Sequence, residues 1–186
     1  MKSISKLFVM AAFMLAANAT FAQKEKTVMV GGAAMYPSKN IVENAVNSKD
    51  HTTLVAAVKA AGLVATLQSA GPFTVFAPTN AAFDLLPAGT VAGLLKPESK
   101  DALTSVLTYH VIAGRISAKD VAKLVKKGKG MATLKTVSGG TLTAMKIGKK
   151  LALKDQSGGV AYITISDVNQ SNGVIHVIDH VLLPKM

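Results

Sequence analysis

The stretch GPFTVFAPTNAAF, residues 71–83, decides how the rest of the chain is interpreted. Residues 73–77 are apolar and rich in types that favour strands, which predicts a short buried β-strand. Pro78 has no N–H to give to a sheet ladder, so it ends that strand. Thr79 and Asn80 carry short side-chain oxygens that accept from the free N–H groups of a first helical turn, and they predict the N-cap of a following helix.

Helical signals lie on both sides of this stretch. Before it, apolar residues recur at helical spacing over 54–61, and Gly62 predicts a left-handed end to that helix. After it, Ser117 with Asp120 three residues later resembles a capping box. Between these helices, residues 108–113 are apolar and β-branched and predict a strand.

From about residue 131 the apolar pattern changes to a period of two. Residues 132–147 predict a hairpin, and Asn172-Gly173 is a strong tight-turn dipeptide. Residues 174–183 are predicted to form the last and longest strand, which a proline ends. Because helices dominate the first half and strands the second, the pattern predicts an α+β fold with a mainly antiparallel sheet. No internal repeat is present, so the chain holds one copy of one module.

The N-terminus has the features of an export signal. A basic start is followed by a short apolar run and by small residues at cleavage spacing, which predicts a signal peptide over residues 1–22. We expect a flexible leader over 23–36 and a folded domain over 37–186. The sequence has no cysteine, which excludes a lipid-attachment site, and no later apolar run is long enough to span a bilayer. The predicted destination is the periplasm or the outside of the cell.

The chain is strongly basic. Cleavage of the signal removes two of 21 Lys and Arg residues, leaving 19 against 10 acidic residues and a formal charge of +9. An exported basic protein favours acidic polysaccharide, anionic lipid or an acidic protein surface as partner. Nucleic acid is disfavoured, because the basic residues are nearly all lysine and few aromatic residues accompany them. The simplest interpretation is that the lysines solvate the surface.

Three segments together resemble the fasciclin domain. TVFAPTNAAF, residues 74–83, looks like the first signature box of that family, and GVIHVIDHVLLP, residues 173–184, looks like the second. Tyr109-His110 matches the Tyr-His pair found between the boxes. The resemblance implies a β-wedge or sandwich of mainly antiparallel strands with a layer of short N-terminal helices. It also implies an extracellular adhesion or matrix-interaction module without catalysis or cofactor.

The resemblance also implies roles for individual residues. In animal members the Tyr-His pair and an Asp-Ile pair ahead of the second box are implicated in integrin binding; the matching positions here are Tyr109, His110, Asp167 and Val168, with Val in place of Ile. The chain looks bacterial, so we expect another partner at these positions, a cell-surface or matrix protein or an acidic polysaccharide. The positions that match the signature boxes and are expected to support the structure are Thr74, Phe76, Pro78, Thr79, Asn80, Phe83, His176 and Asp179.

The residues themselves predict structural roles for the buried polar groups. A histidine in an apolar strand is usually a hydrogen-bonded core residue, so we expect His110 to reach Thr79 or Asn80. Asp179, in an apolar strand, needs a backbone N–H or a hydroxyl as partner.

Catalytic and metal-binding motifs are weak. His176 and His180 are four residues apart, about 13 Å along a strand at about 3.3 Å per residue, which is too far for one metal ion. No Gly-x-Ser-x-Gly or phosphate-cradling glycine motif is present. Three classes stay open: an interaction module, which we favour; a carrier of a small apolar or lipid ligand; and an enzyme, which the scattered histidines disfavour.

Overall fold

The structure, a computed structural model, describes residues 25–185. The predicted signal peptide, residues 1–22, lies outside this range. The predicted flexible leader over 23–36 is wrong for its second half. Val28–Val30 (β1) and Ala33–Met35 (β2) pair as an antiparallel hairpin, and Val30 and Met35 enter the core. The two apolar residues that the hairpin buries outweigh the small-residue composition that suggested flexibility.

Seven α-helices, two short 3₁₀ helices (Lys49–His51 and Pro97–Ser99) and seven further strands follow in the described residues. The α-helices lie mainly in the first half of the chain, and one β-strand separates the third from the fourth. Their bounds are Ile41–Ala45 (α1), Thr52–Ala61 (α2), Val64–Gln68 (α3), Asn80–Asp84 (α4), Thr90–Leu94 (α5), Lys100–Tyr109 (α6) and Ala118–Lys127 (α7). The strands are Phe73–Pro78 (β3), Val111–Ala113 (β4), Met131–Lys135 (β5), Thr141–Ile147 (β6), Lys150–Lys154 (β7), Val160–Gln170 (β8) and Gly173–Ile178 (β9).

The two signature segments are neighbours in one sheet. Strand order is β4-β3-β9-β8-β7-β6-β5, and β3 pairs with β9 in parallel from Phe73 opposite Gly173 to Pro78 opposite Ile178. Every other strand pair in this sheet is antiparallel. The fold is therefore α+β with a mainly antiparallel sheet, as the sequence predicts.

The central strands separate two apolar cores. Val75 and Ile175 face a core shared with α1 to α6, whereas Phe76 and Ile178 face a second core formed with α7 and β5–β8. Strands buried on both faces have nearly continuous apolar sequences, and β3 and β9 show this pattern. The sheet also curls back on itself, because the N–H of Val137, just after β5, donates to Val111 in β4 at 2.8 Å.

Two predicted strands differ from the structure. Residues 108–113 do not form one strand: α6 continues through Tyr109, and only Val111–Ala113 is extended. The buried helical face of α6 outweighs the β-preference of those residues. The last strand ends at Ile178 instead of residue 183, because the chain bends at Asp179, whose N–H and carboxylate both bond Tyr162. The longest strand is β8, with 11 residues.

Candidate functional site

Thr79 and Asn80 both cap helices, but not the same helix. Thr79 is the N-cap of α4, and its hydroxyl accepts from the Ala82 N–H at 3.3 Å. The amide oxygen of Asn80 instead accepts from the Thr53 N–H at 3.0 Å, and its nitrogen donates to the Lys49 carbonyl at 2.9 Å. Asn80 thus satisfies a free donor at the start of α2, and the first signature segment joins two helices.

His110 is buried directly after α6, with 3% of its surface exposed. Its Nδ1–H donates to the Val106 carbonyl at 2.8 Å, and its Nε2 accepts from the Leu182 N–H at 3.0 Å. A backbone N–H can only donate, so the ring is neutral and carries its proton on Nδ1. Burial lowers the pKa of His110 to about 4.

The expectation that His110 reaches Thr79 or Asn80 is wrong. Its ring instead ties α6 to the segment that follows β9, since both partners are main-chain atoms of those two regions. The sequence correctly predicts a structural role for this ring but not its partner, the Leu182 N–H. The apolar pattern of residues 174–183 predicts a continuous strand and gives no sign of the bend at Asp179.

His176 lies in the middle of β9 and is fully buried. Its Nε2–H donates to the Ile116 carbonyl at 2.9 Å, and its Nδ1 accepts from the Asp167 N–H at 3.3 Å. The ring also stacks on Phe76 of β3, with centroids 5.7 Å apart. Burial lowers the pKa of His176, so this ring too is neutral, with the tautomer opposite to that of His110.

Tyr109 extends the same network into the second half of the sheet. Its hydroxyl donates to the Thr141 carbonyl at 2.6 Å and accepts from the Gln156 N–H at 3.1 Å. The side chain is fully buried, and burial raises the pKa of its hydroxyl. Together Tyr109 and His110 connect the end of α6 to β6, to the turn after β7 and to the C-terminal segment.

The positions matched to partner contact lie mostly inside the protein. Tyr109, His110 and Val168 are each at most 3% exposed, so a partner cannot touch them directly in this conformation. Asp167 is half-buried with φ of 58°, and its carboxylate accepts from the Ala118 N–H at the start of α7 at 2.8 Å. A partner role for these four residues stays a prediction.

The remaining signature residues also act within the fold. Thr74 is buried; its hydroxyl donates to the Gly114 carbonyl at 2.7 Å and accepts from the Ile116 N–H at 2.9 Å. Pro78 ends β3 as predicted, and Phe83 packs in the helical core. Asp179 accepts from the Tyr162 N–H at 2.7 Å, which is the backbone partner that its position predicted.

His180 stands apart from the buried histidines. Its side chain is 49% exposed and bonds the neighbouring carboxylate of Asp179 at 2.8 Å. Within residues 25–185, no three His, Asp or Glu side chains converge as a metal site would require.

Sequence reasoning missed a buried amide that joins distant elements. The sequence predicts only that Asn172 belongs to a tight turn with Gly173. Its side chain accepts from the Ile41 N–H at the start of α1 and donates to the Leu67 carbonyl at the end of α3. Another buried amide, Asn44, donates to Gln170. Asn172 and Gly173 thus anchor the helical layer to the β8–β9 turn.

A small apolar cavity lies between the helical layer and the sheet. Its volume is about 90 Å³, and α1, α2 and α3 line it together with β3 and β9. Val58, Leu67 and Val75 are among the lining residues, and so is buried His51. The Nε2 of His51 has no hydrogen-bond partner within the part of the chain that the structure describes.

The fold and the paired signature segments agree with the resemblance that the sequence carries. The sequence profile described as Fasciclin domain matches residues 49–184. The chain belongs to the fasciclin domain family.

Relatives extend this picture. The chain is 47% identical over 166 residues to Protein sll1483 of Synechocystis sp., covering 87% of this chain and 83% of that protein. It is 41% identical over 122 residues to the cell surface glycolipoprotein MPB83 of Mycobacterium bovis, covering 66% of this chain and about half, 48%, of the relative.

The fold matches a solved structure. The FAS1 domain pair from the insect cell adhesion molecule fasciclin I superposes with a TM-score of 0.71 at 19% identity, over 80% of this chain. This chain spans about half, 52%, of the length of that domain pair. Among the described helices of this chain, none combines the length and apolar character that crossing a membrane demands.

Proposed function

We propose that this protein is an exported, non-catalytic interaction module that attaches cells to one another or to a surrounding matrix. The observation that carries the proposal is the use made of the polar groups in the signature segments. Both ring nitrogens of His110 and of His176 bond main-chain atoms, and Asp167 and Asp179 accept from backbone N–H groups. A histidine that acts as a general base must have a free ring nitrogen within reach of a substrate, and both nitrogens of these two rings are engaged. The adhesion role is supported by the family match and by the likeness to a cell surface glycolipoprotein and to an insect cell adhesion molecule.

Adhesion by the folded protein is directly measurable. We expect wells coated with the purified protein to retain several times more cells of the producing organism than wells coated with the same protein after irreversible heat unfolding. This control keeps the mass and the charge and removes the fold. Equal retention in the two sets of wells would contradict the proposal.

The cavity supports a second candidate, a carrier of a small apolar molecule. At about 90 Å³ it is smaller than an engineered apolar cavity of about 150 Å³ that binds benzene. This size favours a small apolar molecule over a long acyl chain, and the Nε2 of His51 offers such a molecule one hydrogen bond. A stoichiometric small compound in an organic extract of the purified protein would support carriage, and its absence would count against it.

The cavity itself predicts a stability difference between two valines. Val58→Ile extends into the void, and we expect a gain of about 0.8 kcal/mol in the free energy of unfolding, the typical value of one buried CH₂. Val177→Ile adds the same group in β9, at a buried position away from the cavity, and should cost about 1–3 kcal/mol by overpacking. Urea unfolding of both variants measures the difference; equal effects would mean that the space near Val58 is filled.

A further inference from the structure

Positive charge is concentrated in one part of the chain. Residues 115–154 contain 11 of the 21 basic residues and one of the 10 acidic residues, Asp120. The rest of the chain carries 10 basic and nine acidic residues and is nearly neutral. This basic segment forms α7 and the adjacent strands β5, β6 and β7, so the net charge of the protein lies at one end of the fold.

The strands in this segment have one face in the core and one face in water. Directly paired residues point to the same side of a sheet, so the register assigns each side chain to a face. Leu134, Leu142 and Leu153 lie on the inner face, in the core with α7. The opposite face, which we call the open face, includes Met131, Thr133, Lys135, Thr143, Met145, Lys150, Ala152, Lys154 and Tyr162.

The open face combines an apolar row with cations. Met131, Met145, Ala152 and Tyr162 are successive partners across β5 to β8, a row about 14 Å long at about 4.8 Å between strands. Met131 is exposed and Met145 and Tyr162 are partly exposed, whereas Ala152 is fully buried beneath its neighbours. Lys150 and Lys154 flank Ala152 on β7, Lys135 lies four residues along β5 from Met131, and all three lysines are exposed. The Lys150 ammonium lies 5.9 Å from the centre of the Tyr162 ring.

Of the nearby acidic side chains, Asp179 bonds the Tyr162 N–H at the end of the row and is partly exposed, whereas two others are engaged elsewhere. Asp155, next to Lys154 in sequence, is buried, and its carboxylate accepts from the N–H groups of Gly159 and Leu183. Asp120 pairs with Lys123 on α7, which packs against the inner face. Within the described residues, Lys135, Lys150 and Lys154 form no salt bridge, so their charge is available to an external anion.

We infer that the open face binds an acidic polysaccharide, a chain of sugar rings that carry carboxylate or sulfate groups. The exposed parts of Met131 and Met145 suit the apolar C–H faces of pyranose rings, the ring of Tyr162 offers an amphipathic contact, and the lysines pair with the anionic substituents. A phosphate-specific partner fits less well, because the sequence has a single arginine, Arg115, and its guanidinium is bonded to Asn169 and to the Gln170 carbonyl. This inference rests on the proposed interaction role and names the partner class.

The test compares two variants with the same change of charge. Lys135→Gln, Lys150→Gln and Lys154→Gln together remove three cations from the open face; Lys119→Gln, Lys126→Gln and Lys127→Gln together remove three from α7. On immobilised heparin, a sulfated polysaccharide, we expect retention that weakens steeply with salt, an affinity at least tenfold lower for the open-face variant, and less than threefold lower for the α7 variant. Thermal melting confirms that both variants are folded.

Four results would overturn the inference. The first two concern heparin alone: the wild-type protein does not bind it, or the two variants lose equal affinity for it. The other two concern the comparison ligands: the protein binds polyglutamate as tightly as heparin, or binds phosphatidylglycerol vesicles more tightly than heparin. Equal binding to heparin and polyglutamate would mean that charge alone acts, and preference for vesicles would mean that the anion is a lipid headgroup. If the coated wells still retain cells while heparin is not bound, the partner class is wrong and the adhesion role stands; if neither occurs, both fail.

Discussion

His110→Ala lowers the free energy of unfolding by about 4 kcal/mol. The substitution empties a fully enclosed site, which by itself costs about 2–5 kcal/mol for a large side chain. It also leaves the Leu182 N–H without its acceptor, and an unsatisfied buried donor costs about 1–3 kcal/mol. Because the two costs share one site and the surroundings relax, we expect a value in the lower part of the combined range of about 3–8 kcal/mol.

Urea unfolding at pH 7.5 measures this loss, and His180→Ala is the matched control. His180 is half exposed and bonds only its neighbour Asp179 among the described residues. Its removal should change the free energy of unfolding by no more than about 0.5 kcal/mol. A His110→Ala protein as stable as the His180→Ala protein would show that the ring does not connect α6 to the C-terminal segment.

The protein loses stability as the pH falls from about 6.5 towards 4. Burial lowers the pKa of His110 to about 4 and also lowers those of His51 and His176, whereas an unfolded histidine has a pKa of about 6.5. Below pH 6.5 the unfolded chain therefore binds protons that the folded chain excludes. Stability is complete above the unfolded pKa and is lost as the pH falls through this window.

The size of the loss follows from the shift. One pKa unit corresponds to about 1.4 kcal/mol, so His110 alone contributes roughly 3 kcal/mol between pH 6.5 and pH 4, and His51 and His176 add to it in the same direction. The lowered pKa of the Asp120 carboxyl acts only below its usual value of 3.8, outside this window. Urea unfolding at pH 7.5, 6.5, 5.5 and 4.5 measures the effect. A free energy of unfolding that is constant over this series would contradict it.

The correct predictions from the sequence concern features that depend on only a few neighbouring residues. The capping box of Ser117 and Asp120, the left-handed Gly62 and the N-cap at Thr79 each depend on one turn of backbone, and all three occur as predicted. The continuous apolar character of β3 and β9 also identified them as central strands, because both of their faces are buried.

The features that sequence reasoning missed depend on contacts between distant residues. The β1–β2 hairpin is ordered by apolar contacts of Val30 and Met35 with the helical core, which no local pattern encodes. Asn172 bonds residues more than 100 positions away, and an Asn-Gly pair carries no sign of them. The open face also depends on distant contacts. The pairing of β5 to β8, and not spacing along the chain, places its three lysines and Tyr162 on the same side of the sheet.

The central claim is that the signature histidines are neutral, main-chain-bonded parts of the scaffold, so that partners are bound elsewhere. Nitrogen-15 NMR of the histidine rings at pH 6.5 tests it most directly. The structure predicts that His110 carries its proton on Nδ1 and His176 on Nε2, each without exchange with a protonated form. Rings that are doubly protonated at this pH, or that carry the same tautomer at both positions, would contradict the account.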